Sequence, residues 1–309
     1  MFVARAPRVP PHPDRDLHLV RAARRRFTGP AAFLADPVSR ARVGEYLADM
    51  ARPYAREVPA GLFGGQPSAA LGQSYGEMAE ALIGSAVSPA EPVDLLVLAF
   101  SVHDLWPGRQ TAAYLSHLTP GAPMAFAVCD QGPAAAFSGL RIASEYASSA
   151  GLRRTLLIVA EQADLPYDCE APLPSQHQGV AMLLADGARP QARLTAVRQH
   201  PGVAPGDAAG LAAADLAALA AGRPAVGLVL GDALAAAWPA PAASRVRVSQ
   251  PGQPATGLWW DLIEELTCDA GQQDLLVAAD YDPGLRYLCL TAFDTAEAAT
   301  LPERPAEPL

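Results

Sequence analysis

Four short apolar runs without alternation constrain the fold more than any other feature: VDLLVLAF at 93–100, MAFAV at 124–128, TLLIVA at 155–160 and GVAMLLA at 179–185. A strand with one wet face alternates apolar and polar residues, whereas an uninterrupted run needs cover on both faces. Each run is too short for a globular helix or a membrane span and has the length of a strand. Helical segments lie between them. One runs from 109 to 118 and is broken at Pro120 and Gly121; another, rich in small residues, runs from Ala134 to about 149 and is closed by Gly151. Pro133 suits the first turn of that second helix, where a missing N–H costs nothing. Strand, helix, strand, helix, strand at this spacing predicts a doubly covered sheet.

The flanking regions extend the pattern unevenly. Residues 76–83 read as a helix stopped at Ser88-Pro89, and Val43, Leu47 and Met50 mark another over 38–54. The rest of residues 1–74 is rich in Pro, Arg and Gly and is expected to be irregular. Arg24, Arg25 and Arg26 there form the one tight basic cluster, read as a solvated helix face. The second half repeats the theme with strands at 192–197, 226–230 and 245–249, and with helices at 210–221, from 233 and at 258–266. It ends in a hairpin, 274–279 with 285–291, turned by Asp282-Pro283-Gly284. The division expected is an N-terminal half, 1–186, and a C-terminal half, 187–309. The tail from 295 is expected to fray.

Composition removes whole chemistries. The chain has 309 residues and a formal net charge of −9; all 23 of its basic residues are arginine, and it contains neither Lys nor Asn. That excludes Schiff-base and phosphate-loop lysines, N-glycosylation, and any catalytic group built on an Asn amide. A GC-rich codon bias accounts for the absences. The acidic balance argues against a nucleic-acid groove. Cys129, Cys169, Cys268 and Cys289 are scattered without a CxxC pair, so neither a zinc site nor a disulfide framework is suggested. No apolar run reaches the length of a membrane span and the N-terminal stretch lacks a signal-peptide core, so a soluble cytoplasmic protein is expected.

Residues 75–186 resemble the first half of the thiolase-fold condensing enzymes of the β-ketoacyl-ACP synthase III type, through VDLLVLAFSVHDLWPGRQTAAYLSHL, MAFAVCDQGPAAAFSGLRIASEYASSAGLRRTLLIVAEQ and SQHQGVAMLLAD. The closing DLLVAADYDPGLRYLCLTAF is similar to the family's last two strands. The resemblance implies an α/β fold of two pseudo-repeated halves in layers α-β-α-β-α. It also implies acyl-transfer chemistry in which a strand delivers a nucleophilic Cys to the N-terminus of a buried helix. Carried over by position, the nucleophile falls on Gly132, or on Pro133 if the helix entry shifts by one. The family's histidine falls on Gly231 or Asp232, its asparagine on Gln253, and its Gly-Asp-Gly loop on Ser175-Gln176-His177-Gln178. The triad is degenerate.

The resemblance therefore implies a silent subunit of a heterodimeric condensing enzyme or acyltransferase in specialised fatty-acyl or polyketide biosynthesis. Its partner would be an active ketosynthase III-like chain, or a second copy of itself. Thiolase-fold proteins dimerise by extending the sheet across a two-fold axis, so a silent chain can still stabilise and shape an active one. An acyl-carrier protein is a further candidate partner, acyl-CoA or acyl-ACP are the candidate substrates, and no cofactor or metal is expected.

The alternative is an active acyltransferase or condensing enzyme using another residue, with Cys129 and His177 as candidates. Each also has a plain structural reading: a small buried thiol and a hydrogen-bonded loop histidine with Asp168, Cys169 and Glu170 upstream. His103 and Asp104 follow the first apolar run, where open α/β sheets carry ligands, but also fit an Asx-type turn before a helix. Asp130 and Gln131 are read as satisfying backbone groups at the helix entry. Of the adjacent Trp259 and Trp260, one is expected inside and one facing away. Arg153 and Arg154 are placed at a helix C-terminus, where positive charge is favoured.

Overall fold

The computed structural model describes residues 17–54, 72–106, 110–164, 173–186, 192–268 and 273–296. In chain order its elements are β1 (His18–Phe27), α1 (Pro37–Ala51), α2 (Tyr75–Ala86), β2 (Leu95–Ala99), α3 (Thr111–Leu118), β3 (Met124–Val128), α4 (Ala134–Ser149), β4 (Arg154–Glu161) and β5 (His177–Ala185). Then follow β6 (Ala192–Pro201), α5 (Pro205–Leu219), β7 (Val226–Leu230), α6 (Asp232–Ala237), β8 (Arg245–Val248), α7 (Gly257–Cys268), β9 (Leu275–Asp282) and β10 (Tyr287–Asp294). Local chemistry starts several helices. Asp36 accepts hydrogen bonds from the Val38 and Ser39 amides ahead of α1. Ser74 and Glu77 cap each other's backbone at α2, and Pro205 opens α5.

The strands run β3-β2-β4-β5-β1-β6-β10-β9-β7-β8. Numbered within each half, both read third, second, fourth, fifth, first, so one topology occurs twice. The halves join through their first strands over two residue pairs, His18 with Arg193 and Leu19 with Ala192. Three apolar clusters give the layers. α2 and α3 cover one face of the first half's strands around Leu96, Ile158 and Leu183, and α5 and α6 cover one face of the second half's around Leu228, Val277 and Leu290. α4 and α7 lie between, where Phe137 and Trp259 meet side chains from both sets of strands. The expected α-β-α-β-α order is present. α4 approaches its strands closely: a Cβ on Gly139 would lie 2.6 Å from a methyl of Leu157.

Four readings need correction. The stretch before residue 75 contains β1, the strand that joins the halves, besides α1. Its inward positions are Leu19 and Ala22 and its outward ones Ala23 and Phe27, a sparse apolar set among arginines. Arg24 and Arg26 are accordingly strand residues. Both guanidiniums lie 5.0 Å from the ring centre of Trp260, and Arg24 also reaches Glu264. β3 is an edge strand, paired with β2 alone, with Met124 44% exposed and Ala127 exposed. At the opposite edge, β8 turns Val246 and Val248 outward, while Arg247 binds Asp261, Glu264 and Glu265 of α7. Finally, Arg154 opens β4 rather than ending a helix. The Arg153 and Arg154 amides donate to Asp94, and the Arg154 side chain pairs with Glu91. The tryptophans divide as expected, Trp259 inside and Trp260 under the arginines.

Candidate active site

Parallel strands in each half end at one edge: β2, β3 and β4 in the first, and β7, β8 and β9 in the second. The carboxyl ends of parallel strands are where open α/β sheets present ligand-binding loops. Here the two sets of loops meet. The helix entry after β3, the end of β4, the loop after β7, the turn before α7 and the end of β9 converge through a chain of carboxylates.

At the entry to α4, Asp130 and Gly132 have φ of +60° and +50°, and the helix begins at Ala134. The space beside Gly132 is taken: a Cβ there would lie 2.6 Å from Oδ2 of Asp282. The other oxygen of Asp282 accepts from the Gly284 and Leu285 amides and so shapes the β9–β10 turn. A carboxylate facing a helix N-terminus is favourable. The same carboxylate opposes ionisation of a thiol placed at 132.

The loop after β7 repeats the arrangement more tightly. A Cβ on Gly231 would fall 1.9 Å from Oδ1 and 2.4 Å from Cγ of Asp280, so that carboxyl group fills the volume of an absent side chain. Asp280 accepts from the Tyr281 amide at 2.8 Å. Burial, helped by Asp232, Asp282 and Glu161, pushes it up to about 7.

Gln253 is occupied as a clamp. Its amide donates to the Ser175 hydroxyl at 3.0 Å and to the Gln176 carbonyl at 3.3 Å, holding the segment before β5 against the turn. Beside it, buried Glu161 accepts from the Ala255 amide at 2.6 Å, the Thr256 amide at 2.8 Å and the Thr256 hydroxyl. Thr256 in turn accepts from the Gln178 side chain at 3.0 Å. Glu161 thus ties the end of β4 to the start of α7. Burial raises its pKa, and the hydrogen bonds from Thr256 and Ala255 oppose the shift.

The alternative nucleophile and base do not form a pair. The Cys129 thiol donates to Asp130 at 3.4 Å, and partial burial together with that carboxylate raises its pKa. His177 Nδ1 accepts the Ala163 amide at 3.0 Å, which puts the ring proton on Nε2, 3.1 Å from Asp164. Both ring nitrogens are engaged, and neither is left as a base for Cys129. His103 is exposed. Asp104 makes the expected Asx bond to the Trp106 amide, and also accepts from the Tyr75 amide, Gln162 and Thr111, fixing the starts of α2 and α3. The side chains of Asp130 and Gln131 do not cap α4, although the Gln131 carbonyl accepts from the Ala134 amide at 3.0 Å. Asp130 binds Cys129, and Gln131 accepts from Ser138 at 2.5 Å. Asp168, Cys169 and Glu170 lie outside the described residues. Among the described residues, no group of three or more His, Cys, Asp or Glu is placed to hold a metal.

The sequence named Gly132, Gly231 and Gln253 but not Asp282 and Asp280, which lie beside the two glycines, nor Glu161, which holds Ala255 and Thr256. Their one signal is position, each being polar at the end of a buried apolar strand.

No protein-family model and no curated protein sequence matches the chain. Solved structures do. ChlB3, an acyltransferase, aligns at TM-score 0.58 and 18% identity over 93% of this chain and 99% of its own. The 3-oxoacyl-(acyl carrier protein) synthase III of Pseudomonas aeruginosa PAO1 aligns at 0.58 and 15%, over 91% and 98%. AbyA1, a tetronic acid condensing enzyme, aligns at 0.58 and 16%, over 90% and 99%. The fold is that of the ketoacyl synthase III-like, thiolase-fold condensing enzymes and acyltransferases.

Proposed function

We propose that this chain is the non-catalytic subunit of a heterodimeric condensing enzyme or acyltransferase in specialised fatty-acyl or polyketide biosynthesis, partnered by an active ketosynthase III-like chain in the cytoplasm. One observation carries the reading. The side-chain spaces at Gly132 and Gly231, positions onto which the resemblance carries the family's nucleophile and histidine, are filled by the carboxylates of Asp282 and Asp280. A thiolate nucleophile needs a positive or hydrogen-bond-donating surrounding, and carboxylates are the reverse. The similarity to an acyltransferase and to condensing enzymes supports the reaction class to which such a subunit would contribute.

The edge strand β3 supports the partner. Its backbone is paired on one side only, and exposed Met124 and Ala127 and half-buried Phe126, 6.3 Å from Tyr146, give an apolar margin suited to sheet extension by another chain. Intact-mass measurement after incubation with acyl-CoA and acyl-carrier protein is expected to show the unmodified chain. A covalent acyl adduct would establish the alternative, an acyltransferase acting through its own nucleophile. In the same preparations, a Met124→Arg, Phe126→Asp double variant is expected to abolish association with the active subunit, read by native mass spectrometry. Association that survives this variant would remove β3 from the interface.

A further inference from the structure

Asp280 is a carboxyl group that folding has taken out of water with no counter-ion among the described residues. It is 7% exposed, and its hydrogen bond among the described residues is the one from the neighbouring Tyr281 amide. Among the described residues, the charged groups that act on it are acidic: Asp232 from α6, Asp282 from the end of its own strand and Glu161 from β4. Across the strand pair, on β10, stands the buried thiol of Cys289, which burial keeps protonated. A side chain present only to fill the space beside Gly231 would be apolar, because an apolar group adds burial without the desolvation cost of a carboxyl. The pair instead removes the side chain from one loop and inserts an acid from the adjacent strand into the same volume.

We infer that the Asp280 carboxyl, in its neutral form, is a hydrogen-bond donor to the carbonyl oxygen of an acyl thioester held where the loops of the two halves meet. The inference rests on the reading of this chain as a ketosynthase III-like subunit and names the substrate group its site recognises. An ionised carboxylate only accepts hydrogen bonds, and so does a carbonyl oxygen; a protonated carboxyl supplies the O–H that makes them complementary. Surroundings that hold the proton to about pH 7 keep the donor available near neutrality. No bond to the protein is made or broken.

The test compares hexanoyl-CoA with S-hexyl-CoA, a thioether of the same chain length without the carbonyl, by calorimetric titration of the full chain. At about pH 6 the wild type is expected to prefer the thioester by about tenfold, the value of one such hydrogen bond. Near pH 8.5 the preference should vanish as the carboxyl ionises. Asp280→Asn retains a donor and should keep the preference at both pH values, while Asp280→Ala should lose it at both. Thermal melts of each variant establish folding. The inference is overturned if the wild type shows no preference at about pH 6, the case in which neither compound binds included, or if Asp280→Ala keeps it. A covalent hexanoyl adduct would instead overturn the non-catalytic reading, whatever the pattern of preference.

Discussion

Glu161 and Asp280 are buried carboxylates at the carboxyl end of the fourth strand in each half, both on the face turned toward the central helices, yet their surroundings differ in kind. Glu161 receives two backbone amides and a hydroxyl from the opposite half. Asp280 receives the amide of the next residue and faces three further acids. Because the two halves share one strand order, each serves as the reference for the other. The comparison separates an acid that holds the fold together from an acid that the fold tolerates. Residues of the second kind concentrate where function, rather than stability, selects the side chain.

The largest expected effect falls on the first kind. Glu161→Ala leaves the Ala255 and Thr256 amides buried without acceptors at the start of α7 and should cost about 3 kcal/mol in denaturant unfolding. A loss below about 1 kcal/mol would show that water replaces the carboxylate, and would remove the contrast with Asp280.

Asp280→Asn should do the opposite. The folded-state pKa lies above the ordinary 3.8, so the folded chain binds this proton more tightly than the unfolded one. The stability that follows is fully present below about pH 4 and is lost as pH rises to about 7, on the order of 4 kcal/mol. Asn cannot ionise. At about pH 8 the variant should therefore be more stable than wild type by about 1 to 3 kcal/mol, and the gain should shrink toward pH 4. The background is of mixed sign: Asp36, Glu264 and Asp294, whose pKa values are lowered, give stability gained as pH rises, while Asp104, Glu161 and Asp261, whose values burial raises, act in the sense of Asp280. The difference between the two proteins isolates Asp280. An Asn variant less stable than wild type at pH 8 would mean that the carboxylate has a partner.

A smaller effect tests the interlock with Gly231. Gly231→Ala puts a methyl into the Asp280 carboxyl and should cost about 1 to 3 kcal/mol. In an Asp280→Gly background the volume is free, and most of that penalty should disappear. Equal penalties in the two backgrounds would show that the carboxyl moves aside without cost.

The same contrast explains which parts of the molecule were legible in its sequence. The strands 93–100, 155–160 and 179–185 were legible because full burial leaves an uninterrupted apolar run, and α4 because Pro133 and Gly151 punctuate it. β1 was not, since its buried positions, Leu19, Ala22, Ala23 and Phe27, are set among arginines whose guanidiniums find Glu91, Glu264 and Trp260. The run at 124–128 told of a strand but not of its edge position, because the periodicity of one segment says nothing of its neighbours. Gly132, Gly231 and Gln253 were reached through resemblance. The carboxylates around them were not, because what they do depends on groups in the other half: Glu161 meets Ala255 across 94 positions of sequence.

The smallest expected effect concerns Cys129, and it bears on whether the chain has a nucleophile at all. Reactivity of a thiol follows its thiolate fraction, which a positive neighbour or a helix N-terminus raises and a carboxylate lowers. Cys129 precedes the start of α4 by five residues and donates its proton to Asp130, so burial and charge act in the same direction. Alkylation by iodoacetamide at about pH 7.5 should therefore be slower than that of a free thiol of ordinary pKa, and Asp130→Ala should quicken it several-fold. A rate well above the free thiol's in the wild type would mean that the helix N-terminus reaches Cys129 despite Asp130. The first half would then hold an active thiol and the second the acid that serves it, and the division between a silent scaffold and its catalytic partner would move inside this chain.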